Sequence, residues 1–206
     1  MNHQEIIKQV ANYYTDKLQQ FGTTSKGVDW KSEESQYLRF QQLLKVIDTN
    51  HSFSVLDYGC GFGSMYAFMK EIFTDFHFSG FDISESMIQK AKELFNNENT
   101  SWFAELPQNQ TYDYVIASGI FNVKINHTET EWRAYVLDTL HHFNQLATKG
   151  FSFNILTSYS DKEYMRNDLH YANSLELFDY CKRKFSKYVA LLHDYPLYEF
   201  TILVKK

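Results

Sequence analysis

Residues Val55–Ser64 read VLDYGCGFGS. An apolar run closes on Asp57, and Gly59, Gly61 and Gly63 then alternate with other residues. Glycine reaches positive φ without a Cβ penalty and leaves the main chain open to close approach. A helix starting at Ser64 would present its free N–H groups beside that bare backbone. The stretch therefore predicts a strand, a tight turn and a helix, with a ligand at their junction.

The same texture continues downstream. Strands are predicted over Ser54–Asp57, His77–Asp82, Tyr112–Ala117 and Gly150–Leu156, with a weaker one over Ser101–Ala104. Helices are predicted over Ser64–Thr74, Glu85–Phe95, Glu129–Ala147 and Ser174–Phe185. Such alternation implies an α/β fold, a parallel sheet with helices on both faces. The carboxyl end departs from it. Lys187–His193 and Leu197–Val204 are strand-like, and only Asp194, Tyr195 and Pro196 separate them. That gap is too short for a helical crossover and demands an antiparallel hairpin. Upstream, Ile6, Ile7, Val10, Tyr13, Tyr14 and Leu18 recur near helical spacing, and Tyr37, Phe40, Leu43, Leu44 and Ile47 do so again. The loop FGTTSKGVDW, Phe21–Trp30, joins them. Residues 1–52 are expected to form a helical extension or lid and residues 53–206 the core, compact as one domain.

Composition narrows the function. The chain has 206 residues, a net charge of −5 and a pI near 5.9, without the basic footprint of a nucleic-acid binder. It has no run of about 18 apolar residues, so no membrane span is expected. The opening MNHQEIIKQV lacks the basic start and apolar stretch of a secretory signal. Cys60 and Cys181 lie far apart with no metal-like spacing, and the histidines show none either. A cytoplasmic protein without a disulfide framework or metal is expected. The 18 Phe and 15 Tyr read mainly as a core rich in rings.

VLDYGCGFGS, FDISESM at Phe81–Met87 and the hairpin ending HDYPLYEFTILVKK together resemble the class I S-adenosylmethionine-dependent methyltransferases of small-molecule type. A dinucleotide dehydrogenase would continue with parallel strands instead, and Ser64 stands where its third glycine would be. The resemblance covers nearly everything from Phe53 onward. It implies a Rossmann-like, seven-stranded, mostly parallel sheet with a reversed final strand, and S-adenosylmethionine as methyl donor, released as S-adenosylhomocysteine. It also implies that Asp57 and Gly59, Gly61 and Gly63 receive the ammonium-bearing methionine part. Asp82 follows Gly63 by nineteen residues, close to the roughly twenty expected of an acid that binds ribose hydroxyls. Ser84 is the matching helix cap, and Ile83 and Met87 flank the same end. Glu105 is the candidate adenine contact.

Ligands of an open parallel sheet bind beyond the carboxyl ends of its strands. Ser118, Gly119, Phe121 and Asn122 therefore face the expected methyl position. Asp168, His170 and Tyr171, in the polar insertion after the fifth strand, and His193, after the sixth, are acceptor-site candidates. His193, His170 and Tyr14 are the candidate catalytic residues, the two histidines as proton acceptors, since histidine titrates near neutral pH. In the extension, Tyr13 and Tyr14 are candidates to cage a cation or shield the sulfonium. Arg39 is a candidate to bind a carboxylate or phosphate. Neither an Asn/Asp-Pro-Pro-aromatic motif nor a Pro-Cys nucleophile follows Tyr112–Ala117. Both absences favour a small-molecule acceptor, a sugar or an amine, and a monomer or homodimer. A protein or nucleic-acid methyltransferase and a non-catalytic nucleotide-binding module remain as alternatives.

Overall fold

The computed structural model describes residues 3–48 and 51–206. One seven-stranded sheet runs through it: β1 Phe53–Tyr58, β2 Phe76–Phe81, β3 Thr100–Phe103, β4 Tyr112–Ala117, β5 Ala147–Leu156, β6 Tyr188–Leu192 and β7 Glu199–Lys205. The spatial order is β3-β2-β1-β4-β5-β7-β6. Pairings from β3 through β5 are parallel, and β7 lies antiparallel between β5 and β6. The strand order reverses between β1 and β4, which opens a crevice at their carboxyl ends.

Both sheet faces are covered, as the nearly continuous apolar strands require. In β1, Leu56 faces one core and Val55 the other. The first core packs α5 (Glu129–Leu146) and α6 (Ser174–Lys184) on the sheet through Trp132, Phe143 and Cys181. The second packs α3 (Ser64–Met69) and α4 (Glu85–Leu94) through Met65, Met69 and Ile88. Rings dominate both, with Phe121, Phe143, Phe151, Phe153 and Phe200 in the first and Phe53, Phe76, Phe78 and Trp102 in the second. The amino-terminal helices join these cores. Helix α1 (His3–Phe21) contributes Ile6 and Val10 to the first, and α2 (Glu33–Leu44) contributes Phe40, Leu43 and Leu44 to the second.

Two element boundaries differ from expectation by three residues or more. Helix α3 has six residues rather than reaching Thr74, and the chain goes on in turns. Strand β5 begins at Ala147, directly where α5 stops, because Tyr112 pairs with Ala147 before a register shift.

A buried polar chain ties the extension to the sheet. The Arg39 guanidinium of α2 donates to Glu199 at the start of β7, with Nε to Oε1 at 2.6 Å, and to the Ser35 carbonyl. The Asn154 amide of β5 donates to the other Glu199 oxygen, and Asn154 Oδ1 accepts from the Gly119 N–H at 2.8 Å. Removing one member of a buried ion pair leaves the other charge uncompensated. Glu199→Ala is expected to lower the unfolding free energy by about 3–5 kcal/mol in urea titrations. The double variant Arg39→Met with Glu199→Leu should lose much less. A single variant as stable as the parent would show that the pair contributes nothing.

Candidate active site

The crevice at the β1–β4 reversal is a cleft partly open to solvent. Its floor is the opening motif. Asp57 lies one residue before the end of β1, and Gly59, Cys60 and Gly61 follow it along the cleft wall. Gly59, Gly61 and Gly63 all have positive φ. Gly61 needs glycine twice over: its φ is +54°, and a Cβ there would stand 3.0 Å from Val28 of the extension. Bare backbone is thus used here for close packing of the chain on itself as well as for access. Gly63 lies outside the cleft lining and serves as the left-handed cap of α3.

Two carboxylates dominate the electrostatics. Asp82, just past β2, accepts the Gly61 N–H at 2.8 Å and the Ser84 N–H at 2.9 Å. Burial raises its pKa to about 6, and those two backbone bonds oppose the rise. Asp57 is 2% exposed and has no hydrogen-bond partner for its carboxylate among the described residues. Burial, followed by the Asp82 charge, pushes it to about 8. The Ser118 hydroxyl is likewise buried without a partner and lines the same cleft. An ammonium fits beside Asp57, hydroxyl donors fit the remaining lone pairs of Asp82, and an oxygen or nitrogen partner fits Ser118. Ser84 caps α4 as expected, its Oγ accepting from the Met87 N–H at 3.4 Å. Its hydroxyl also meets Thr15 of α1 at 2.8 Å, fastening the extension beside the carboxylates. Ile83 and Met87 line the cleft, whereas Glu105 is exposed and outside it.

A second hollow adjoins the first on the β5–β7 side. Tyr14, Val28, Trp30 and Gly119 line both. Asp29, Lys31, Arg39, Asn122, Arg166 and Glu199 supply its polar wall. Three of these were legible as candidates or lay in the loop singled out, but Glu199 was not. Strand β7 runs backwards, so its first residue, not its last, reaches the cleft end of the sheet.

The remaining candidates are distributed unevenly. Tyr14 lines both hollows, and burial holds its phenol proton far above the usual range, so it is a hydrogen-bond donor and not a base. Tyr13 is engaged, its hydroxyl donating to Asp29 at 2.7 Å. Arg39 reaches the second hollow with its guanidinium already paired to Glu199. Asn122 lines that hollow and accepts from the Leu156 N–H at 3.1 Å. Phe121 points away: its ring is fully buried against Phe143 and Phe153, because it packs under the strand end. Asp168 pairs with Arg166, which lines the hollow, and the Tyr171 hydroxyl accepts the Arg166 N–H at 3.0 Å. His170 sits behind the wall, its Nδ1 2.6 Å from Glu129, and burial lowers its pKa. His193 is exposed at the far edge, beside Tyr159 and Phe200, since β7 separates β6 from the cleft. Among the described residues no group of His, Cys, Asp and Glu has the arrangement to hold a metal, and no helix is long and apolar enough to cross a membrane.

Known proteins resemble this chain in sequence and fold. A family model described as a methyltransferase domain matches residues 55–151. The Mycobacterium tuberculosis protein "Putative methyltransferase Rv1506c" is 43% identical over 164 residues, 79% of this chain and 99% of its own length. Magnesium protoporphyrin IX methyltransferase from Synechocystis PCC 6803, solved with bound S-adenosylhomocysteine, superposes with a TM-score of 0.64 at 16% identity, over 97% of this chain and 99% of that one. A structure titled DhpI-SAM-HEP complex gives a TM-score of 0.68 at 12% identity over 98% of each chain; these two likenesses speak to the fold. The chain belongs to the class I S-adenosylmethionine-dependent methyltransferases. It is an enzyme of that class, and S-adenosylmethionine is its cofactor.

The raised Asp57 pKa has a measurable consequence. Unfolded, the group ionises near 3.8; folded, it keeps its proton to about 8. Between those values the native state holds more protons, so the stability of the ligand-free protein falls as pH rises. Asp82, raised to about 6, adds to the lower part of that window. Melting temperatures should therefore fall across the window, and Asp57→Asn should flatten the fall. A slope unchanged in that variant would contradict the burial argument.

Proposed function

We propose that the enzyme methylates an oxygen or nitrogen of a small polar metabolite, a sugar or an amine, with the acceptor in the second hollow. The observation that carries this is the hollow itself. The extension forms one side of it, and it shares Tyr14, Val28, Trp30 and Gly119 with the cofactor cleft. Its mixed charges suit a polar ligand, and the acidic net charge disfavours a nucleic acid.

S-adenosylmethionine supplies a methyl group already activated on a sulfonium. The protein's work is then to hold, align and keep dry. Asp57 and Ser118 would hold the methionine part, and Asp82 the ribose. Tyr14 and Trp30 would exclude water from the junction, and Asn122 and Arg166 would orient the acceptor. The hollow's carboxylates are engaged, Asp29 by Tyr13 and Lys17 and Glu199 by Arg39 and Asn154. No free base lines it among the described residues, and an amine that attacks in its neutral form needs none.

Calorimetry with S-adenosylhomocysteine and NAD tests the cofactor assignment. The first should bind and the second should not, and Asp82→Ala should weaken binding by about tenfold or more. Affinity unchanged in that variant would move the ribose elsewhere. A methyl-transfer screen over amines, sugars and small acids then tests the acceptor class. Activity confined to proteins or nucleic acids would refute it.

A further inference from the structure

Trp30 occupies the junction of the two hollows, and its side chain is held on two sides. Its backbone N–H bonds the Ser25 carbonyl at 2.8 Å and fixes the main chain there. Its ring lies over the Arg39 guanidinium, 4.0 Å from ring centroid to Cζ. Its other contact is Gly119, where a Cβ would stand 2.4 Å from two indole atoms. Gly119 has a φ of +77°, and its N–H is held by Asn154. The contacts therefore close a circuit: Gly119 to Asn154, Asn154 to Glu199, Glu199 to Arg39, Arg39 to Trp30, and Trp30 back to Gly119. Four separate segments, β4's end, β5, β7 and the extension, meet in it. A surface tryptophan would not need such a frame. An indole clamped between a guanidinium and bare backbone is a wall that does not yield.

Its place relative to the carboxylates says what the wall bounds. Asp57 and Asp82 hold the cofactor cleft's floor on the β1–β2 side, and the second hollow lies on the β5–β7 side. Anything passed between them crosses the ring of Tyr14, Val28, Trp30 and Gly119. Within that ring Trp30 is the largest side chain and touches the strand end directly.

We propose that Trp30 is the size-determining residue of the transfer step: its indole, fixed over Gly119, limits the group on the cofactor sulfur that the junction admits. This rests on the methyltransferase reading of the cleft. A methyl passes, and larger sulfur substituents collide with the indole. Arg39, Glu199 and Asn154 act as positioning residues that hold the ring there.

The test compares binding of S-adenosylhomocysteine with that of the S-benzyl sulfonium analogue of S-adenosylmethionine, by calorimetry on the full chain. The wild type should bind the benzyl analogue far more weakly. In Trp30→Ala the ratio of the two dissociation constants should fall by about tenfold or more, whatever the change in S-adenosylhomocysteine affinity itself. Trp30→Phe should give a smaller change in the same direction, and carries the test if the alanine variant melts too low to titrate. Glu199→Gln, which frees the guanidinium under the indole, should relax the ratio partway. An unchanged ratio in a folded Trp30 variant that still binds S-adenosylhomocysteine overturns the proposal. Failure of the wild type to bind S-adenosylhomocysteine would overturn the function reading instead.

Discussion

Two carboxylates buried in one cleft set the terms for the rest of the molecule. Asp57 lies one residue before the end of β1 and Asp82 directly after β2, its parallel neighbour, so the sheet itself brings them together. Asp82 is partly neutralised by backbone, accepting the Gly61 and Ser84 N–H groups, and those bonds shape the glycine turn and the start of α4. Asp57 has no such relief and is held protonated well above its ordinary range. A buried acid without a partner costs stability. Here the cost is placed where a cationic, hydroxyl-bearing ligand relieves it, which is how a ligand-free site is made ready for its cofactor.

The amino-terminal segment is bound into the same design. Its helices donate apolar residues to both cores, Thr15 meets Ser84 beside Asp82, and Val28 covers the open face of Gly61. Arg39 secures the opposite side through Glu199 and Asn154. Both the cleft and the adjoining hollow are lined in part by this segment, which contributes Tyr14, Val28 and Trp30 to each.

Most of the cleft floor was legible in the sequence. Local patterns carry it: a strand with Asp57 one residue before its end, glycines in left-handed turns, and an acid nineteen residues further on, directly after the next strand. The second hollow was legible only in part. Asn122 and Arg39 do reach the second hollow. His193, a reasonable strand-end histidine, is carried to the sheet edge because β7 inserts between β5 and β6. Phe121 faces the core instead of the site, one position away from residues that line it. Glu199 and Asn154 carried no signal, as a carboxylate opening a strand and an amide inside one are unremarkable until their partners arrive.

By itself, then, the sequence determined the alternation of strands and helices, the reversed hairpin at the end and the glycine turn that follows Asp57, because each depends on residues close together in the chain. Only the tertiary structure decided which strand ends face one another, which hydroxyls and carboxylates are already engaged, and that Trp30 stands over Gly119. Those facts join residues up to 160 positions apart, as Arg39 and Glu199 are. Their meeting is set by sheet order and core packing, and no local pattern encodes it.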